Sequence, residues 1–141
     1  MEDRVVFVGY VSSRELQALY AGARCVLMPT LFEAAGGFGP IAEAFLAGIP
    51  VACSNVTSLP EQVGDAAVVF DPLDEQDMAQ GIERVWTDAS LRTELIRRGS
   101  ENIGRFSWDR TARTFRAYYR QLADRPLTPE DIALLSRTAE F

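Results

Sequence analysis

One hundred and forty-one residues with 48% hydrophobic content suffice for one domain with a real core, which excludes a disordered or collagen-like chain. Acids outnumber bases 20 to 14, for a net charge of −6; that argues against a phosphate-backbone binder built on clustered cations, and nucleic acid is not an expected partner. All fourteen bases are arginine and histidine is absent, which removes Schiff-base lysines, P-loops, histidine triads and histidine zinc sites.

Cys25 and Cys53 lie in apolar runs and are too few for a disulfide framework or a cysteine-rich metal site, so they read as free thiols in a reducing compartment. No apolar stretch reaches the roughly 18 residues of a membrane span, and Glu2, Asp3 and Arg4 stand where a signal peptide would carry its apolar core. A cytoplasmic chain is expected, peripheral to a membrane only through a partner.

Short β-rich runs alternate with segments of helical period, the pattern of an α/β fold in which helices wrap a parallel sheet. Residues 4–11 (RVVFVGYV) are expected as a strand and 13–23 as a helix with Leu16, Leu19 and Tyr20 on one face. Residues 25–29 read as the second strand. After a glycine-rich loop, 40–47 read as a helix with Pro40 at its first position and Gly48 ending it. A third strand at 50–54, a helical turn around 60–63 and a fourth strand at 66–70 follow.

From Asp74 onward only helices are expected, with Met78, Ile82, Val85 and Trp86 on one stripe and Leu91, Leu95 and Ile96 on the next. In the third of these helices Trp108, Ala112, Phe115, Tyr119 and Leu122 share a face, while Arg113, Arg116 and Arg120 line another that suits solvent or an acidic partner. Thr128 and Pro129 offer a cap and first turn for a last helix through Leu135.

The chemistry is expected in 29–55, PTLFEAAGGFGPIAEAFLAGIPVACSN. A strand ends, a loop carrying Gly36, Gly37 and Gly39 follows, and a helix begins at Pro40, so backbone N–H groups and the positive end of the helix dipole face the sheet's carboxyl edge. Glycines there let the backbone approach a pyrophosphate closely. GGFG is not the dinucleotide fingerprint GxGxxG, however, and a simple tight turn reads equally well. Glu33 and Glu43 bracket the loop. A carboxylate accepts several directed hydrogen bonds from sugar hydroxyls but repels a bare phosphate, so the pair suggests a phosphate flanked by sugars. On spacing alone, a solvated loop acid at Glu33 and a helix-dipole partner at Glu43 serve as well.

This segment continues into SNVTSLPEQVGDAAVVFDP, then DEQDMAQGIERVWTD, then FSWDRTARTF at 106–115. The whole resembles the C-terminal, nucleotide-sugar-binding domain of retaining glycosyltransferases of the GT-B fold, family 4 type (glycosyl transferases group 1), over about residues 4–122. The resemblance implies a partial Rossmann-like domain with closing helices over 1–123, lacking that domain's first βαβα unit, and a C-terminal tail with one short helix over 124–141.

It also implies a donor site. In the family two glutamates separated by seven residues hold the donor, the first at the transferred sugar and the second at the ribose. Glu33, in the catalytic role, and Glu43 match in type. Nine residues separate them here, so the first position falls on Glu33 through a longer loop or on Ala35 in a shifted register. Gly36, Gly37, Phe38 and Gly39 would lend backbone amides to sugar and phosphate. Ser54 and Asn55 would edge the nucleotide pocket, with Glu61 as a neighbour. No metal and no cofactor beyond the nucleotide-diphosphate sugar, the donor substrate, is implied.

The family's Arg/Lys pair that neutralises the donor diphosphate, and the acceptor domain ahead of it, have no counterpart in this sequence. Four strands would leave a sheet edge and apolar helix faces bare. The expected partners are therefore the nucleotide sugar, an N-terminal acceptor domain or partner chain, and further copies in a homo-oligomer. The expected function is transfer of a sugar to an acceptor hydroxyl in glycan or polysaccharide synthesis, with the isolated chain inactive. The alternative is a fragment or split subunit that works only by assembling with a partner. An oxidoreductase of the Rossmann type has little support, since both the fingerprint and its acidic partner are missing.

Overall fold

Strands covered on both faces are built from short runs of small and β-branched residues, because neither face meets water. In a computed structural model, which describes residues 4–33 and 38–138, three short apolar runs form a parallel sheet: β1 (Val26–Met28), β2 (Val51–Ser54) and β3 (Ala67–Phe70), side by side in that order. Val26 stands opposite Val51 and Ser54 opposite Phe70. β2 is central and every one of its residues is buried.

Alternation along β2 sends its side chains to two separate cores. Val51 and Cys53 pack with Ile41, Ala44 and Phe45 of α2 (Phe38–Leu46) and with Leu59 and Val63 of α3 (Leu59–Val63). Ala52 joins Val68 and Phe70 against Val85 of α4 (Glu75–Thr87) and Leu95 of α5 (Ala89–Ile103). The remaining helix of this part, α1 (Ser13–Gly22), is capped by Ser12 and Glu15, each accepting from the other's backbone, but buries none of its residues.

The expected strand at 4–11 is not formed. Residues 5–9 have no regular structure, and Val6 is 80% and Phe7 94% exposed. A ladder needs a neighbour, and a strand-like run without one has nowhere to place its N–H and C=O groups except water. Among the described residues the sheet therefore has three strands where four were expected, with β1 at one edge.

The helix α2 begins at Phe38, earlier than the expected Pro40, which sits within the first turn where its missing N–H still costs no hydrogen bond. Its end is as expected. Gly48 takes φ +70, its N–H donates to Phe45 O and that of Ile49 to Ala44 O, a Schellman ending with Ile49 packed on the core.

The chain divides into two compact units, Met1–Ile103 and Gly104–Phe141. The second holds α6 (Trp108–Leu122) and α7 (Pro129–Thr138). The boundary expected at 123 thus falls in the turn between these two helices.

Candidate functional site

Because the strands are parallel, Met28, Ser54 and Phe70 all end on one edge, the edge beyond which open α/β sheets bind their ligands. The backbone there is tied together. Ser54 Oγ donates to Met28 O at 3.2 Å and the Asn55 N–H to Phe70 O at 2.8 Å, while Thr30 Oγ1 donates to Phe32 O at 2.7 Å. Thr57, in the loop after β2, holds φ +51. A β-branched residue rarely adopts that conformation, and strain of this kind persists only where the surroundings impose it.

Of the residues singled out from the sequence, Gly36 and Gly37 lie outside the described residues. Glu33 is half-buried in the segment that follows β1. Phe38 points inward, its ring edge-on to Phe45 at 6.1 Å, in the first turn of α2. Gly39 is exposed, and a Cβ built on it meets no atom of the chain within 4 Å. Glu43 stands exposed one turn further on. Loop and helix thus put Glu33, the amides of Phe38 and Gly39, and Glu43 in succession at one end of the sheet.

Ser54 and Asn55 occupy the neighbouring strand end. Ser54 is fully buried with its hydroxyl spent on Met28, whereas Asn55 keeps an exposed side chain. Glu61 is exposed on the first turn of α3.

One residue at this site escaped the sequence pattern. Tyr20 of α1 reaches α2, where its hydroxyl donates to Pro40 O at 3.2 Å and meets the Glu43 carboxylate. Burial, and then the carboxylate, push its phenol up to about 12. Tyr20 and Glu43 face a groove of about 530 Å³ between α1 and α2, lined also by Ser13, Gln17, Leu46 and Ala47. The helical period groups Tyr20 with Leu16 and Leu19 on one face of α1; the signal left unused was its polar tip, which a partly buried tyrosine must satisfy.

The cysteines offer no nucleophile. Burial pushes the Cys53 thiol up to about 11 and raises that of Cys25, so both stay protonated near neutrality. Among the described residues no group of three His, Cys, Asp or Glu is placed to hold a metal, and no helix is long and apolar enough to cross a membrane.

Residues 1–88 match the family described as glycosyl transferases group 1. The chain is 44% identical over 119 residues to the O-antigen chain mannosyltransferase B of Escherichia coli, covering 83% of this chain and 30% of that protein. It is 36% identical over 111 residues to the serotype-specific mannosyltransferase WbdA of Escherichia coli, covering 78% of this chain and 13% of that one. Among solved structures it matches the sucrose-phosphate synthase of Thermosynechococcus elongatus with a TM-score of 0.73 and 30% identity, over 86% of this chain and 31% of that chain.

A parallel sheet wrapped by helices, with a helix N-terminus at its carboxyl edge, defines a Rossmann-like domain of the kind that forms the C-terminal half of the GT-B fold. The chain belongs to the group 1 glycosyl transferases, and it spans about 30% of the length of the mannosyltransferase B that it matches.

Proposed function

We propose that this chain is the donor-binding part of a retaining glycosyltransferase that moves a sugar from a nucleotide-diphosphate sugar to an acceptor hydroxyl in polysaccharide synthesis. The observation that carries the proposal is the succession of Glu33, the Phe38 and Gly39 amides and Glu43 along one loop and helix end at the carboxyl edge of a parallel sheet. The mannosyltransferase names of two relatives make mannose the first sugar to try.

In this reading Glu33 orients the transferred sugar, the loop glycines Gly36 and Gly37 with Phe38 and Gly39 receive the diphosphate on backbone amides, and Glu43 accepts from the ribose hydroxyls. Ser54 shapes the pocket floor by fixing the end of β1, and Asn55 offers its side chain at the rim. The diphosphate departs as the acceptor hydroxyl attacks from the same face and passes its proton to the departing phosphate oxygen, and the remaining charge is met by helix amides, so neither a metal nor a protein nucleophile is required.

Calorimetric titration with GDP-, UDP- and ADP-sugars, mannosyl donors first, tests this. Micromolar binding is expected for one nucleotide, weakened about tenfold or more in Glu43→Ala, as befits loss of a charged hydrogen-bond partner. Binding untouched by Glu43→Ala would refute the assignment.

A second reading, a subunit competent only when assembled, is favoured by a specific observation. Among the described residues β1 has no strand on its outer side, and the apolar run at 5–10 joins no strand and is exposed. Addition of strands from a partner would pair both.

A further inference from the structure

A ribose is held by directed hydrogen bonds, so a carboxylate that receives it must be kept at one angle, yet a glutamate on an exposed helix face has several free torsions. In this chain a neighbouring helix limits that freedom. Tyr20 donates its hydroxyl to Pro40 O at 3.2 Å, which anchors the ring over the first turn of α2 three residues before Glu43. The same hydroxyl meets the Glu43 carboxylate, and the two side chains face the same groove. The phenol's one proton goes to Pro40 O, which fixes the hydroxyl beside the carboxylate.

We propose that Tyr20 is a positioning residue for Glu43, holding that carboxylate toward the ribose hydroxyls of the donor; the proposal rests on the donor-site reading above. The Tyr20 ring also forms part of one wall of that groove.

Two measurements on the chain separate this contact from a merely structural one. In the first, the chain is labelled with 13Cζ-tyrosine and the Tyr20 signal is assigned as the one lost in Tyr20→Phe. That signal should move in Glu43→Gln and stay in place in Glu61→Gln. A Tyr20 signal identical in Glu43→Gln would overturn the contact.

In the second, UDP, GDP and ADP are each titrated against their 2′-deoxy counterparts. The native chain should prefer the ribose form by about tenfold, Glu43→Gln should erase the preference, and Tyr20→Phe should cut it to about threefold or less. The double variant should lose no more than Glu43→Gln alone, because Tyr20 acts through Glu43. If Tyr20→Phe weakens ribose and deoxyribose forms equally, or leaves the preference whole while Glu43→Gln removes it, the inference fails and the donor site stands. If the preference survives Glu43→Gln, or no diphosphate binds, the donor-site reading itself fails and takes the inference with it.

Discussion

A methyl group added at Gly99 would stand 2.7 Å from Cδ1 of Phe45, closer than real Cβ contacts come. Gly99 is thus what allows α5 to lie against α2, the helix that carries Glu43. Gly99→Ala should destabilise the chain by about 1–3 kcal/mol in urea unfolding, since overpacking outweighs the gain in helix propensity. Gly39, one residue into α2, is the opposite case, because its added Cβ meets nothing within 4 Å. Gly39→Ala should leave stability unchanged or raise it by up to about 1 kcal/mol, so any fall in donor affinity would report a ligand crowding that backbone. From sequence alone both are simply glycines in or near helices. Ser54 makes the same point, since its place after a strand suggested a pocket rim and its hydroxyl is spent inside, on Met28 O.

Between elements, the arginine face of α6 finds an acidic partner within its own unit. Arg113 and Arg116 pair with Glu130, and Arg116 and Arg120 with Asp131, which is fully buried. Thr128 completes the clasp, its N–H and hydroxyl both donating to Asp131 Oδ2 while Oγ1 accepts from the Asp131 N–H. The Thr128 N–H first, and then Arg120, hold the Asp131 carboxyl well below the usual carboxylate range. A carboxyl with a depressed folded pKa contributes stability that is complete above its unfolded value, about 4, and is lost as pH falls through the folded one. The α7 amide signals should therefore lose protection from hydrogen exchange progressively below about pH 4, ahead of the sheet. Asp131→Asn should show the loosened α7 already at neutral pH. Retained α7 protection in Asp131→Asn would refute the clasp. The periodicity of 108–122 announced an arginine stripe and the choice between water and an acidic partner; the partner lies on another helix, so no local pattern could name it.

At the scale of the molecule, the first unit leaves much apolar surface in water. Nothing on α1 is buried, Val6, Phe7 and Tyr10 are exposed, and among the described residues no strand pairs with β1 on the side away from β2. Patches of this kind mark sites of association. Sedimentation of the chain should show concentration-dependent self-association, and Phe7→Ser, at a residue 94% exposed, should weaken it without lowering the melting temperature. A native chain that stays monomeric at high micromolar concentration would contradict this. The same surface explains why the expected strand at 4–11 is absent. Its composition is that of a strand, but a strand is completed by its neighbour, and 4–11 pairs with none of the three.

The sequence by itself determined the order and type of most elements, the parallel character of the sheet, the turn at Gly48 and the loop-to-helix passage that carries the candidate donor site. Those follow from hydrophobic period, turn residues and caps, all of which act within a few residues. It also carried the motif series of the family. Only the tertiary structure decided that 4–11 lacks a partner, that α7 clasps the arginines of α6, that Ser54 faces inward and that Tyr20 meets Glu43. Each of these depends on groups far apart in the chain, brought together by packing that no local period encodes.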